Sequence, residues 1–269
     1  MTHSNRIHVF KTGLMQRMVT NVAHGYHWHY AGTVGADRVL AFIEQTDLQY
    51  AIDATPKQRE YRRRRYDRAN AFLHLHPSYA APLFHWWLLL TDGDHSPPVP
   101  PSPLRDARSK GNQRLIVPGD YEAVLRPTKG GLPRRTWQLT TRSFEDVVVR
   151  LQEAIRHRKD PGAVQVVLRE IHSYPAFRGV RSQVAKLRQI AVADWRRIRA
   201  DGSALQLPSF PPYVRYKTFE TVNIGIVRDR LMAGKKPFAW ELLARSPDRS
   251  GAREGSDAPL VEEDQTNGR

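Results

Sequence analysis

The chain contains no cysteine among its 269 residues. That absence excludes disulfide bridges, thiolate-ligated zinc, iron–sulfur clusters and thiol nucleophiles together, and it fits a reducing compartment. Long apolar runs are missing as well. The longest, "FHWWLLL" at 84–90, falls far short of the ~20 residues that span a bilayer. The first residues, "MTHSNRIHVFKTG", hold no apolar stretch of signal-peptide length. A cytoplasmic protein without a membrane partner is expected. No Gly-rich loop of the P-loop or dinucleotide type occurs, "TKGG" at 128–131 being only a turn, so no cofactor is expected. Acidic residues are scarce: 27 Asp and Glu face 42 Lys and Arg, a formal charge of +15.

What is present supports a packed core. Apolar residues make up 40% of the chain, with six tryptophans and nine phenylalanines, which excludes a wholly disordered protein. The length suits one large domain or two small ones. An excess of positive charge this large favours a polyanion, with nucleic acid the first candidate partner.

Aromatic and β-branched runs at 6–10, 17–22, 26–34, 69–77 and 83–92 read as strands. Gly25 is placed for a hairpin turn. Between them, residues 35–50 change to a helical period, with Val39, Leu40 and Ile43 on one face and Asp37 near the start. Residues 92–113 read as a loop, since four prolines within 97–101 exclude regular structure. "RLIVP", "YEAVLRP" and "RTWQLTT" follow as strands separated by turn residues.

From Ser143 the period is helical. Ser143 and Asp146 have capping-box spacing, and Phe144, Val147, Val148, Leu151, Ala154 and Ile155 keep one face. A second helix is expected from Gly162 to His172, a third from Ala176 to Arg199, an extended stretch over 203–217, and a last helix within 219–234. The expected fold is α+β. An antiparallel, sheet-rich N-terminal domain spans 1–140 with helices on one face, and a ferredoxin-like arrangement is one way to build it. A helical basic region, 141–245, packs on it, and a polar tail, 246–269, is disordered. A fold of this class does not choose a function.

The distribution of arginine is the main functional signal. Lys57, Arg59, Arg62, Arg63, Arg64, Arg65 and Arg68 lie within twelve residues, interleaved with Tyr61 and Tyr66. Four consecutive arginines outnumber the neighbouring Glu60 and Asp67, and their mutual repulsion is relieved by a phosphate backbone. Guanidinium forks suit bidentate phosphate contacts, and exposed tyrosines suit stacking on unpaired bases. A second stripe is expected on the third helix. There Phe177, Val180, Val184, Leu187, Ala191, Trp195 and Ile198 turn inward, beside an exposed row of Arg178, Arg181, Arg188, Arg196 and Arg199. The expected function is binding of RNA or single-stranded DNA through these arginine clusters.

Histidine is concentrated in the first 95 residues. His27 and His29 share a strand face, as do His74 and His76, because side chains alternate with period two. A metal needs at least three converging ligands, so the two strands would have to be neighbours. "HLH" at 74–76 resembles the His-hydrophobic-His motif of the HUH endonucleases. The resemblance implies metal-dependent DNA nicking by a tyrosine, for which Tyr79, Tyr121 and Tyr174 are available. A ferredoxin-like RNA-processing endoribonuclease is a further alternative. In it His24, His27 or His29 with an arginine acts as general acid or base; its usual Gly-rich loop near the C-terminus is absent here. Asp92, Asp94 and His95 form the nearest polar cluster. The sequence favours histidines as amphipathic rings on a half-buried sheet, and no metal site is assigned.

Overall fold

The apolar run at 84–90 sits at the centre of the fold, within β4 (Leu83–Leu90). The computed structural model describes residues 5–96, 103–109, 111–128, 131–157, 162–198, 204–210 and 220–238. On either side of β4 lie β3 (Ala71–Pro77) and β2 (Trp28–Gly35), and β5 (Arg105–Asp106) pairs with the far edge of β2. All pairings in this sheet are antiparallel. Trp86 and Leu88 point to one face of β4, Trp87 and Leu89 to the other, and all four are buried. A strand buried on both faces reads as a continuous apolar run, not an alternation.

Helices therefore cover both faces of this sheet, where the sequence predicts one. On the Trp86 face lies α2 (Val39–Tyr50), whose Phe42 ring is 5.1 Å from that of Trp86. On the other face lies α1 (Lys11–Ala23), with Leu14, Met15 and Met18 packed against Trp87 and Leu89. That helix replaces the strand expected over 17–22. Leu14, Met15, Met18 and Val22 are buried at helical spacing, and a full apolar stripe outweighs the β propensity of Val19, Thr20 and Val22. Gly25, at φ 94°, ends the helix turn and makes no hairpin.

The order β5-β2-β4-β3 contains a split βαβ unit: β2 leads through α2 and α3 (Pro56–Tyr66) to β3, and β4 inserts antiparallel between the two. A ferredoxin-like sheet shares that order. Here, however, β4 reaches the two-residue β5 with no helix among the described residues. β5 also corrects the loop expected over 92–113, although the Pro-rich 97–102 lies outside the described residues.

A second sheet holds β6 (Ile116–Val117), β7 (Tyr121–Thr128) and β8 (Gly131–Leu139), in that order. Trp87 Nε1 in β4 donates to the Ile116 carbonyl at 2.8 Å, and Trp137 Nε1 in β8 donates to the Met15 carbonyl at 2.9 Å, so two indoles tie this sheet to the first layer. Then come α4 (Thr141–Arg156), α5 (Gly162–Ser173) and α6 (Arg178–Ile198). The cap of α4 is Thr140, whose Oγ1 accepts from the Ser143 N–H at 3.3 Å. It sits three residues before the Ser143 expected from the spacing, because β8 runs directly into the helix. Gly179 lets α6 approach β8, since a side chain there would strike the Trp137 carbonyl. Gln183 then pairs with Leu139, accepting from its N–H at 2.7 Å and donating to its carbonyl at 3.0 Å. Leu89, Trp137, Val147, Ile171 and Val184 belong to one core cluster, which joins sheet and helices.

β1 (Arg6–His8) pairs antiparallel with β9 (Thr221–Asn223), which leads at once into α7 (Ile224–Met232), capped by Asn223. The stretch expected as a helix within 219–234 thus begins as a strand. Residues 204–210 carry neither helix nor strand; 211–217, Arg199 and the tail from 246 lie outside the described residues. Residues 1–237 group as one compact unit, and of the second, 238–269, only Phe238 is described. No helix among the described residues is long and apolar enough to cross a membrane.

Candidate functional site

The arginine-rich stretch folds as α3, a helix none of whose residues is buried. Its start is fixed locally. Thr55 Oγ1 accepts from the Gln58 N–H at 3.3 Å, Gln58 Oε1 accepts from the Thr55 N–H at 2.8 Å, and Pro56 occupies the first turn. Its end is fixed by contact. The Asp67 carbonyl accepts from the Asp94 N–H at 2.7 Å, and the Asp94 carbonyl from the Ala69 N–H at 3.1 Å. Gly93, at φ 128°, lies so close that a Cβ would stand 2.6 Å from the Asp67 oxygen.

Two arginines hold the helix to the body. The Arg59 guanidinium donates to the carbonyls of Ile52 at 2.6 Å and of Ala54 and Ala71 at 2.8 Å, and stacks 4.3 Å from the Phe72 ring. Arg62 Nη1 donates at 2.9 Å to the Tyr50 carbonyl, at the C-terminus of α2. Burial first, then the charges of Arg68 and Arg59, push the Arg62 guanidinium below its ordinary range. Arg68 is partly neutralised, with Asp94 at 3.5 Å and the Ser96 carbonyl at 2.9 Å.

The remaining cations face outward. Lys57, Arg63, Arg64 and Arg65 are exposed. Arg64 pairs with Glu60 at 2.7 Å in the open, while Lys57, Arg63 and Arg65 meet no carboxylate among the described residues. Beside them Tyr61 and Tyr66 are 59% and 58% exposed, their rings 5.9 Å apart and nearly perpendicular. The Tyr61 hydroxyl donates to that of Tyr66, which raises it above its ordinary range. An open cavity of about 550 Å³ adjoins Tyr61, Lys57 and Arg62, and it also carries Asp47 and Asp53.

The stripe on α6 is placed differently from the expectation. Val180, Val184 and Leu187 are buried as predicted. Arg178 is exposed but donates to the Pro127 carbonyl. Arg181 and Arg188 are only half-exposed because segment 204–210 lies over them. The Phe210 ring sits 4.4 Å from the Arg181 guanidinium and 5.4 Å from that of Arg188. Arg188 also donates to the Pro208 carbonyl at 2.7 Å and to His172 Nε2 at 2.8 Å. Of the row, Arg196 stays exposed, and Arg199 lies outside the described residues.

The histidines do not converge as two adjacent pairs. β4 separates β2 from β3, so His29 and His74 lie two strand spacings, about 10 Å, apart across the sheet and are offset by two residues along it. His27 donates through Nε2 to Asp92 at 3.0 Å, beside the Trp28 Nε1 bond to the same oxygen at 2.8 Å. Those two bonds, Trp28 first, hold the Asp92 carboxyl below its usual range. Asp94 accepts from Ser96 N–H at 2.9 Å and His95 Nε2 donates to the Thr91 carbonyl at 2.8 Å, so the polar cluster is divided among separate partners. His24 is exposed, away from the buried His29.

On the α1 side of the sheet, His76 lies opposite His85, and Asn21 bonds His74 Nε2 at 3.0 Å. Burial lowers His29 and His76 to about 4 and His74 to about 3, with Arg105, Lys11 and His8 respectively as the next contributor. Of the tyrosines considered, Tyr79 is exposed at the β3–β4 turn, whereas Tyr121 and Tyr174 meet edge to face at 6.4 Å. No group of three or more His, Asp or Glu among the described residues is placed to hold a metal ion. The resemblance of "HLH" to the HUH motif thus gains no third ligand among the described residues.

Sequence reasoning missed two residues of this region, His8 and Arg17. Both line a cavity with His74 and Arg59. Reading 17–22 as a strand hid Arg17, and only the helical spacing of Leu14, Met18 and Val22 would have revealed its side of α1. Comparison with known proteins finds no matching family model, no matching curated protein and no matching solved structure.

Proposed function

We propose that this chain binds nucleic acid, RNA or single-stranded DNA, through the outer face of α3. One observation carries the reading. α3 buries no side chain of its own and is nevertheless held rigidly by a capping box, two anchoring arginines and a glycine contact. A helix so placed contributes little to the core and presents cations that meet no carboxylate among the described residues. Lys57, Arg63 and Arg65 supply phosphate contacts, and Arg64 joins them at the cost of a weak, exposed pair with Glu60. Tyr61 and Tyr66 add faces on which unpaired bases stack, each worth ~1–3 kcal/mol. The formal charge of +15 supports the same partner class.

The stacking component is tested by fluorescence anisotropy with labelled single-stranded RNA, single-stranded DNA and duplex DNA. Single strands should bind more tightly than duplex, and Tyr61→Ala with Tyr66→Ala should remove that preference while leaving a phosphate-driven residue of affinity. Equal binding of strands and duplex by the native protein would refute stacking by these rings.

A further inference from the structure

A cavity of about 470 Å³ opens between β1, the middle of α1, β3 and the first turn of α3. Arg6, Arg17, Arg59, His8 and His74 are among its lining residues, and none of the described ones is acidic. The three arginines differ in how they are engaged. Arg6 donates to Thr221, through Nε to Oγ1 at 2.7 Å and through Nη2 to the carbonyl at 3.0 Å. Arg59 spends its donors on backbone carbonyls, which leave its charge uncompensated. Arg17 is half-buried and its side chain hydrogen-bonds to no described residue; its guanidinium stands 5.8 Å from the centre of the Phe72 ring, on the cavity wall.

We propose that this pocket binds a phosphate monoester, the terminal phosphate of a nucleotide or of a 5′-phosphorylated strand. Three positive charges without an acid ask for more than the single charge of a phosphodiester, and a dianionic monoester offsets them best. A guanidinium with unused donors is the group suited to a two-pronged phosphate contact. Burial, and then the charge of Arg17, lower His8 to about 4; burial, His8 and Arg17 lower His74 to about 3. Both rings are therefore neutral near pH 7 and add no charge to that of the three guanidinium groups. The volume exceeds what a bare phosphate needs and lies in the ~300–1,000 Å³ range of small-ligand sites. The nucleotide half of the inference stands alone. The strand half rests on the α3 reading, because Pro56 and Arg59 at the rim lead from the pocket onto α3.

Calorimetric titration of the full chain with AMP and with adenosine tests it. AMP should bind and adenosine should not. Arg17→Ala should weaken AMP at least about tenfold, as loss of a charge-assisted fork requires, and Arg17→Lys should restore part of the affinity. Arg63→Ala with Arg65→Ala should leave AMP binding unchanged. Equal affinity for AMP and adenosine, or a folded Arg17→Ala protein that binds AMP as the native protein does, would overturn the pocket. Strands with a 5′-phosphate or a 5′-hydroxyl then separate the two readings. A 5′-phosphate advantage that Arg17→Ala abolishes supports both. Strand binding without AMP binding overturns the pocket alone, and AMP binding without strand binding overturns the α3 interface alone.

Discussion

Arg59 donates to the carbonyls of Ile52, Ala54 and Ala71 and covers Phe72, whereas Arg63, one turn later, meets no described acceptor. Their substitutions should differ accordingly. Arg59→Ala leaves three carbonyls without a donor and should cost about 2–3 kcal/mol of stability. Lysine at that position should recover little, since a point charge cannot serve three acceptors. Arg63→Ala should change stability by no more than about 0.5 kcal/mol. Urea unfolding of the two variants checks the contrast, and similar losses in both would contradict it. The buried histidines set a second expectation. His8, His29 and His76 are lowered to about 4 and His74 to about 3 from an ordinary 6.5. Unfolding therefore takes up protons in that window, so stability is complete above about pH 6.5 and is lost as pH falls toward 4. At about 1.4 kcal/mol per unit and ring, the loss is a large part of an ordinary domain's stability. Circular dichroism in acid should show unfolding within this range, and stability unchanged from pH 7 to pH 4 would contradict the buried, neutral rings. The arginines were legible in the sequence as a cluster, but not which of them anchor. The carbonyls that claim Arg59 belong partly to β3, and no local pattern announces them.

At the scale of elements, α2, α4, α5 and α6 were legible because each carries a clear helical apolar stripe, and β3, β4, β7 and β8 because their aromatic and β-branched runs are bounded by turn residues. α1 was not, since the β-branched Val19, Thr20 and Val22 obscured a stripe that begins earlier, at Leu14. Nor was the pairing of both histidine-bearing strands with the same neighbour, which placed β4 between them. The α6 arginines were legible as a stripe, but their cover was not: Pro208 and Phe210 come from beyond the helix. Arg188→Ala should lower stability by about 1–2 kcal/mol, through the lost bonds to Pro208 and His172, and should leave nucleic-acid affinity unchanged. The reverse pattern, affinity lost with stability intact, would return α6 to the binding surface.

For the whole molecule, the claim at stake is that the outer face of α3 carries the phosphate contacts. The core lies elsewhere, in the cluster joining α1, β4, β8, α4 and α6, so the face can be emptied of charge without unfolding the protein. The most direct measurement is the affinity of the native chain and of an Arg63→Ala, Arg64→Ala, Arg65→Ala variant for one single strand over a range of salt. Three lost phosphate contacts should flatten the slope of log K against log salt by about 2, at ~0.7 per contact, and weaken binding most at low salt. The Arg59 and Arg62 anchors remain, so thermal melting should be unchanged. A variant that melts normally and binds with the native affinity and the native salt slope would contradict the α3 interface.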